Sequence, residues 1–222
     1  MIPPELYFPT PNWPALVQAA RPVILDVGAN DGGSSRVFQH LFQTAQVYAF
    51  EPDPRAIANC KHRVQIGHLD PARFELFEGA VCDEIGEAEF FQSNGKDPNF
   101  DWYPTGYDLS GSLMKPVSET PLDVPSIYFR ETIRVQTITL DAWARARSLQ
   151  HVDIFWMDVQ GAEARVLKGA QETLKGVDFI YLECEDKKAY ESQPELQTLC
   201  ALLPAFDLLI SYADGNHLFK RR

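Results

Sequence analysis

The stretch VILDVGANDGG, residues 23 to 33, places a short apolar run directly before a turn that holds three glycines. Two serines follow, and Val37, Phe38 and Leu41 then recur at helical spacing. QVYAFE, residues 46 to 51, is a second β-branched and aromatic run. The pattern predicts a strand, a glycine-bearing turn, a helix and a parallel strand, with ligands bound where the strands end.

The same alternation continues along the chain. A second helix is predicted from Pro54 past Cys60, and RFELFEGAV (73–81) as a third strand. VDIFWMDV (152–159) predicts a central strand covered on both faces, AEARVLKGAQETLK (162–175) a helix, and VDFIYLEC (177–184) another strand. These elements predict an α/β fold with a doubly wound, mostly parallel sheet.

The C-terminal run FDLLISYADGNHLFKRR (206–222) has a different pattern, with two short strands around Asp214-Gly215-Asn216. Such a turn favours an antiparallel hairpin. We therefore expect one Rossmann-like domain over residues 1–222 that ends in an antiparallel C-terminal hairpin.

Composition excludes several classes of protein. Hydrophobic residues make up 45% and charged residues 23%, as in globular domains. The formal net charge of −11 opposes binding to a phosphate backbone, so no nucleic-acid partner is expected. The sequence has no run of eighteen apolar residues, and MIPPELYF lacks a basic leader, so neither a membrane span nor an export signal is expected.

The four cysteines, at positions 60, 82, 184 and 200, show no C-x-x-C spacing. They are interpreted as thiols of a reducing compartment, which predicts a cytoplasmic protein. The five histidines are scattered without metal-ligand spacing, and no metal site is predicted from them.

An irregular segment from about residue 93 to 126 interrupts the α/β pattern and is rich in Pro, Gly, Asn, Asp and Ser. Long irregular segments inside compact domains are commonly functional loops, and this one is predicted to be a substrate lid. Its aromatic residues could stack on a sugar ring, and the candidates for substrate binding are Trp102, Tyr103 and Tyr107. An ordinary packed loop or a contact in a homodimer is the alternative.

The glycine turn limits the choice of cofactor. A phosphate-binding loop needs Lys-Ser or Lys-Thr after its second glycine, whereas Gly33 precedes two serines. A dinucleotide fingerprint needs glycine where Asn30 stands, and Asp31 would repel a pyrophosphate. S-adenosylmethionine has no phosphate and carries an ammonium group that Asp26 can neutralise, directly or through water. The loop therefore favours S-adenosylmethionine.

Glu51 ends the second strand about twenty residues beyond the loop, where an acid can accept hydrogen bonds from both ribose hydroxyls of a nucleoside cofactor. The alternative is structural: Gly28 and Gly32 only shape a tight turn, and Glu51 is a solvated strand end.

Four motifs together resemble the FkbM family of S-adenosylmethionine-dependent methyltransferases: DVGANDG (26–32), FEPDP (50–54), TLD (139–141) and MDVQGAEARVLKGA (157–170). The resemblance covers roughly residues 23 to 185. It implies a class I methyltransferase fold and methyl transfer, commonly to a hydroxyl of a sugar or glycosylated natural product. It also places Ala80 and Val81 against the adenine. The chain departs from the family at Gly111-Ser112-Leu113, where members often carry Ser-Ser-Leu.

Loop, strand ends and resemblance together give one set of predicted cofactor-binding residues: Asp26, Gly28, Ala29, Asn30, Gly32, Glu51, Pro52, Ala80 and Val81.

Methyl transfer from a sulfonium requires a positioned acceptor oxygen and a group that takes its proton. Asp158, at the end of a central strand, is the first candidate base, and a helix N-cap is its structural alternative. Glu163, in the first helical turn, and Glu183, at the end of the last parallel strand, are further candidates. Asp158 with Glu183 or Glu185 could alternatively hold Mg²⁺, although acids are common at strand ends. His217 is a weaker base candidate.

The expected function is O-methylation of a sugar hydroxyl or glycosylated metabolite. The alternative is an inactive, cofactor-binding scaffold of the same fold that regulates a partner. The sequence leaves open the acceptor, the methylated position, and attack by oxygen or by nitrogen.

Overall fold

The computed structural model describes residues 11–95, 109–121, 127–185 and 187–222. The elements in this part of the chain follow the order α1 (Trp13–Leu16), β1 (Val23–Val27), α2 (Gly33–Leu41), β2 (Gln46–Glu51), α3 (Pro54–Gln65), β3 (Phe74–Glu78), β4 (Ala80–Val81), β5 (Gly86–Gly95), β6 (Ile127–Ile138), α4 (Leu140–Ala146), β7 (Val152–Met157), α5 (Glu163–Lys168), β8 (Val177–Glu183), α6 (Leu196–Leu202), β9 (Phe206–Ser211) and β10 (Asn216–Arg221).

The main sheet has seven strands in the order β3-β2-β1-β7-β8-β10-β9. The pairs from β3 to β8 are parallel, whereas β10 is antiparallel to both β8 and β9. This arrangement confirms the predicted α/β fold and its antiparallel C-terminal hairpin. The strand order changes direction between β1 and β7, because β2 and β3 lie on one side of β1 and β7 and β8 lie on the other. Such a switch point is where open α/β sheets bind ligands.

The two faces of the sheet carry separate apolar clusters. On one face Leu25, Phe155 and Ile180 pack with Trp143 of α4. On the other, Trp156 stacks on Tyr181 with ring centroids 4.3 Å apart, in a cluster with α1 and α2. All six residues of β7 are buried, because this strand lies in the middle of the sheet and is covered on both sides, as its continuous apolar run predicted.

The predicted third strand, 73–81, is two strands in the structure. β3 belongs to the main sheet, whereas β4 pairs with β6 in a second, three-stranded sheet of order β4-β6-β5. Gly79 lies between them, and an added Cβ there would lie 2.7 Å from the Phe77 ring and 2.8 Å from the Gln136 carbonyl oxygen. The close approach of β6 at this glycine redirects the chain out of the main sheet.

The helix predicted over 162–175 is also shorter than expected. α5 ends at Lys168, and a separate 3₁₀ turn spans Thr173–Gly176. An added Cβ at Gly169 would lie 2.0 Å from the Cys82 carbonyl oxygen, so the chain is packed against the neighbouring loop here. Asp141 then accepts hydrogen bonds from the backbone N–H groups of Glu172 and Thr173, which stabilises the interruption.

No helix in the described ranges is long and apolar enough to cross a membrane. The single domain with a substrate lid at about 93–126 stays a prediction, because residues 96–108 and 122–126 lie outside the described residues.

Candidate active site

A cleft opens at the carboxyl ends of β1, β2 and β7. Seven of the nine predicted cofactor-binding residues line it: Gly28, Ala29, Asn30, Glu51, Pro52, Ala80 and Val81. Asp158 lines it as well. The structure therefore brings most of the predicted cofactor residues together with the first candidate base.

The glycine turn after β1 is fixed by the strands around it. The N–H groups of Gly28 and Ala29 both donate to the Phe50 carbonyl oxygen, at 3.0 Å. Gly28 has a left-handed φ of +87°, and an added Cβ would lie only 1.7 Å from the Asp158 carbonyl oxygen. The prediction explained this glycine by the approach of a ligand. In the structure the close approach of the chain after β7 already requires it.

Gly32 does not belong to the cleft lining. It also has a positive φ, +80°, and an added Cβ would lie 2.9 Å from Leu69 and 3.0 Å from the Cys60 sulfur. Because these contacts come from α3 and the loop after it, Gly32 allows the start of α2 to pack against α3. Its conformational role is local packing behind the cleft.

Asp26 is fully buried behind the cleft and does not line it. Its carboxylate accepts hydrogen bonds from the Ser34 hydroxyl, at 2.9 and 3.0 Å, and from the Ser35 hydroxyl. Burial raises the pKa of Asp26 to about 6, although the two serine donors oppose the rise. Ser34 does line the cleft, so the Ser34 hydroxyl connects the buried acid to the cleft.

Glu51 lies at the rim of the same loop and is 4% exposed. Its two carboxylate oxygens accept from the backbone N–H of Asn30, at 2.8 Å, and of Asp53, at 2.7 Å. Burial raises the pKa of Glu51 to about 8, against the effect of these two donors. A carboxylate can accept about four hydrogen bonds, so Glu51 can hold the turn and still accept from a ligand.

Asn30 has a φ of +49°, and its side-chain carbonyl oxygen is buried without a hydrogen-bond partner in the described part of the protein. A buried acceptor of this kind costs free energy unless a donor reaches it. A ligand in the cleft that Asn30 lines can supply that donor.

An apolar wall closes the opposite side of the cleft. It is formed by Ala80 and Val81 of β4, Phe90 of β5, and Leu109 and Leu113. The last two come from the segment predicted as a lid. An added Cβ at Gly111 would lie 2.7 Å from the Phe90 ring, so Phe90 accounts for glycine at the position where the family often has serine.

Asp158 follows β7, and its N–H donates to the Val27 carbonyl oxygen at 2.9 Å. The alternative that Asp158 caps a helix is wrong, because the residue before α5 is Ala162 and no side chain caps that helix. The carboxylate of Asp158 instead accepts from the Gln160 carboxamide at 2.7 Å, and the same carboxamide donates to Glu183 at 2.9 Å. The Gln160 carboxamide therefore bridges the two carboxyl groups.

Two buried carboxyl groups held by one carboxamide disfavour double ionisation, so Asp158 and Glu183 form a proton-sharing pair. The nearby charge of Asp158, followed by burial, raises the pKa of Glu183 to about 9. Burial also raises the pKa of Asp158. The charge of Asp158 thus favours the proton on Glu183, and Asp158 is the member of the pair that lines the cleft.

Glu163 and Glu183 line a separate side cavity together with Glu185, Tyr190 and Gln193. Glu163 is 2% exposed, it accepts from the Gly161 N–H at 3.1 Å, and burial raises its pKa to about 7. Gln160 lines both this side cavity and the main cleft. Of the three candidate catalytic acids, only Asp158 lines the main cleft.

The sequence analysis did not identify Gln160, Ser34, Ser112 or Tyr190. Ser112 donates to the Gln160 carbonyl oxygen at 2.6 Å, and Tyr190 donates to the Ser110 carbonyl oxygen at 2.5 Å. The position of Gln160 two residues after Asp158 in DVQGAE was the available signal. Nothing local marks Ser112 or Tyr190, which lie 48 and 30 residues from Gln160.

The predicted substrate residues Trp102, Tyr103 and Tyr107 lie outside the described residues. His217 does not line the cleft; its ring nitrogens contact the Ser211 hydroxyl and the Cys184 carbonyl oxygen. Within the described ranges, one group has metal-ligand spacing, His151 with Asp153 and Asp178. It lies at the amino ends of β7 and β8, at the opposite edge of the sheet from the cleft.

Comparison with known proteins identifies the family. The model of the methyltransferase FkbM domain matches residues 26–212. The chain is 41% identical over 201 residues to 2-O-methyltransferase NoeI of Sinorhizobium fredii, an alignment that covers 90% of this chain and 79% of that protein. The crystal structure of methyltransferase FkbM from Methylobacillus flagellatus KT aligns with a TM-score of 0.56 at 12% identity, over 93% of this chain and 45% of that one. The chain belongs to the methyltransferase FkbM domain family.

Proposed function

We propose that this methyltransferase uses S-adenosylmethionine to methylate a hydroxyl group of a sugar or of a glycosylated metabolite. The observation that carries the proposal is the position of Asp158. It belongs to a buried acid pair joined by the Gln160 carboxamide, and it lines the same cleft as the glycine turn and Glu51. A cofactor loop and a candidate base therefore share one cleft.

The residues present fit the cofactor. The unpartnered side-chain oxygen of Asn30 can accept a hydrogen bond from the ammonium group of the cofactor. Asp26 can stabilise the same positive charge through the hydroxyl of Ser34, which donates to it. Glu51 retains capacity to accept from the ribose hydroxyls, and Pro52 lies beside it. Ala80 and Val81 offer an apolar surface to the adenine.

S-adenosylmethionine supplies a methyl group on a sulfonium, which the acceptor oxygen takes by in-line displacement. The protein must hold that oxygen in line and remove its proton. Asp158 is placed to accept the proton, and Glu183 and Gln160 hold Asp158 in the cleft wall. Glu163 lies behind this wall, in the side cavity, and it stabilises the turn at Gly161. No step in this scheme requires Mg²⁺.

Two features support a saccharide acceptor. The family relative from Sinorhizobium fredii is named a 2-O-methyltransferase, which supports oxygen as the attacked atom. The side cavity next to Asp158 is lined by three glutamates and no basic residue among the described ones. Carboxyl groups exchange hydrogen bonds with sugar hydroxyls, and a cavity lined without basic residues offers no countercharge to an anionic acceptor. Trp102, Tyr103 and Tyr107 are proposed to stack on the sugar ring.

Calorimetry with S-adenosylmethionine and S-adenosylhomocysteine tests the cofactor assignment. Incubation with methyl-labelled S-adenosylmethionine and a pool of neutral and acidic oligosaccharides, followed by mass spectrometry, tests the acceptor. We expect micromolar binding of both nucleosides and label on neutral sugars. Absence of binding would exclude the cofactor, and binding without label on any acceptor would favour the inactive scaffold.

A further inference from the structure

Gln160 has an unusual backbone conformation for its residue type. Its φ is +53°, a left-handed value that is unfavourable for a non-glycine residue and persists where surrounding contacts impose it. Here the Ser112 hydroxyl donates to the Gln160 carbonyl oxygen at 2.6 Å, and Gly161 follows with a φ of +91°. The turn therefore presents the Gln160 side chain towards the acids at the strand ends.

The Gln160 carboxamide has two N–H groups, and both are used on acids. One hydrogen bond goes to Asp158, at 2.7 Å, and the other to Glu183, at 2.9 Å. The two carboxyl groups come from the ends of neighbouring strands, β7 and β8, and they would repel each other if both were ionised. A single side chain thus joins the two acids.

We propose that Gln160 is a positioning residue that holds Asp158 and Glu183 in one proton-sharing pair and keeps the Asp158 carboxylate directed at the acceptor. This role rests on the proposed function, since it assigns the proton of the acceptor to Asp158. The hydrogen bond from Ser112 extends the same arrangement to the 109–121 segment, whose Leu109 and Leu113 line the cleft.

The electrostatics around the pair give the role a measurable consequence. Four titratable groups interact with the pair: Asp26 of β1, Glu163 of α5, Tyr181 of β8, and Glu185 just beyond β8. These groups are acids, so they disfavour ionisation of the pair. The Gln160 N–H groups act in the opposite direction, because a donor stabilises the charged form of a carboxylate and lowers its pKa. Loss of these donors should raise the pKa of Asp158.

Two substitutions separate the donor function from the structural role of Gln160. Gln160→Met keeps an unbranched side chain of similar length without donors, and Gln160→Gly removes the side chain and suits the left-handed φ. Ser148→Gly is the matched control, because Ser148 also has a φ of +53° but is exposed and lies beyond the end of α4.

The first readout is carbon-13 NMR titration of the carboxyl groups in the ligand-free protein, with the Asp158 and Glu183 signals assigned from Asp158→Asn and Glu183→Gln. Both Gln160 variants should move the Asp158 midpoint to higher pH, and Ser148→Gly should not. The second readout is the pH profile of kcat with a methylated acceptor. Its acid limb should move in the same direction, and kcat near neutral pH should fall about tenfold or more, as expected for one lost charge-assisted hydrogen bond.

Cofactor affinity should stay within twofold of wild type in both variants, because the carboxamide contacts acids and not the glycine turn. Unchanged carboxyl midpoints in both variants would overturn the inference while leaving the proposed function intact. Shifted midpoints in the Gln160 variants, together with a wild-type protein that transfers no methyl group, would overturn the proposed function and, with it, the role of the pair in catalysis. Wild-type behaviour restored by Gln160→Met would show that Gln160 only fills space, and it would also overturn the inference.

Discussion

Gly28 and the backbone of Asp158 lie so close that a Cβ on Gly28 would be 1.7 Å from the Asp158 carbonyl oxygen. The glycine turn after β1 and the candidate base after β7 are therefore parts of one packed unit. The hydrogen bond from the Asp158 N–H to the Val27 carbonyl oxygen, at 2.9 Å, links the same two strand ends. A change at the turn should consequently displace the base as well as the cofactor.

Gly28→Ala should destabilise the protein and abolish cofactor binding. The positive φ and the overlap with Asp158 together should cost about 2 to 4 kcal/mol of unfolding free energy. Denaturant titration and calorimetry measure the two effects. Gly67→Ala is the control, because Gly67 has a φ of +75° but no atom within 4 Å of an added Cβ; it should cost only the strain, about 1 kcal/mol. Normal cofactor affinity in Gly28→Ala would contradict the assignment of the turn.

Glu51→Ala should weaken binding of S-adenosylmethionine by about 1.5 to 3 kcal/mol, because both ribose hydroxyls lose their hydrogen-bond acceptor. The matched control is Glu78→Ala, since Glu78 pairs with Glu51 in register at the end of β3 but is half-exposed and forms an ion pair with Lys61. Calorimetry should show near wild-type affinity for that control. Equal affinities in the two variants would contradict the ribose assignment of Glu51.

The ligand-free protein should lose stability as pH rises from about 4.5 to 9. The pKa values of Glu51, Glu163 and Glu183 are raised in the folded chain to about 8, 7 and 9. Each group thus binds its proton more tightly when folded, and this advantage disappears as pH rises from the unfolded pKa through the folded one. Chemical denaturation at several pH values should show the decline.

Glu51→Gln removes one of these groups and should flatten the decline between pH 6 and 8. Asp70→Asn is the control, because the pKa of that exposed carboxyl is lowered by its hydrogen bond with Arg73, and its titration falls below this window. A decline that is equally steep in Glu51→Gln would contradict the assigned environment of Glu51.

Trp102→Ala tests the prediction that the 93–126 segment binds the acceptor. Cofactor affinity should remain unchanged, whereas kcat/KM for the acceptor should fall by roughly ten- to a hundredfold, equivalent to about 1 to 3 kcal/mol of lost stacking. Titration of cofactor and acceptor on the same variant provides both numbers. Wild-type kcat/KM would make Trp102 an ordinary loop residue, and loss of the circular dichroism spectrum would place it in the core.

The sequence predicted those features that depend on local pattern. Alternating apolar runs located β1, β2, β7 and β8, and the Asp214-Gly215-Asn216 turn located the hairpin. The sequence separation between the glycine turn and Glu51 was informative because β1 and β2 are adjacent and parallel. This pairing brings the Asn30 N–H within 2.8 Å of the Glu51 carboxylate. The fold class and the cleft could therefore be predicted.

Contacts between distant parts of the chain were not predictable in the same way. The sequence analysis attributed the glycine at position 28 to the approach of a ligand. The local sequence carries no sign that the backbone of Asp158 approaches this position. Asp26 was expected at the ligand, but the hydroxyls of Ser34 and Ser35 enclose it. The left-handed φ of Gln160 depends on packing around the turn, including Ser112, and no propensity of glutamine signals it.

Asp158→Asn gives the most direct test of the central claim, because the substitution keeps the shape of the side chain and removes its capacity to accept a proton. The measurement is methyl transfer from labelled S-adenosylmethionine to a neutral saccharide acceptor, with S-adenosylhomocysteine affinity determined on the same preparation. We predict that wild-type protein labels the acceptor, and that Asp158→Asn binds the nucleoside normally but transfers methyl groups at least a hundredfold more slowly, as expected for loss of a general base. Transfer at the wild-type rate by Asp158→Asn would contradict the account.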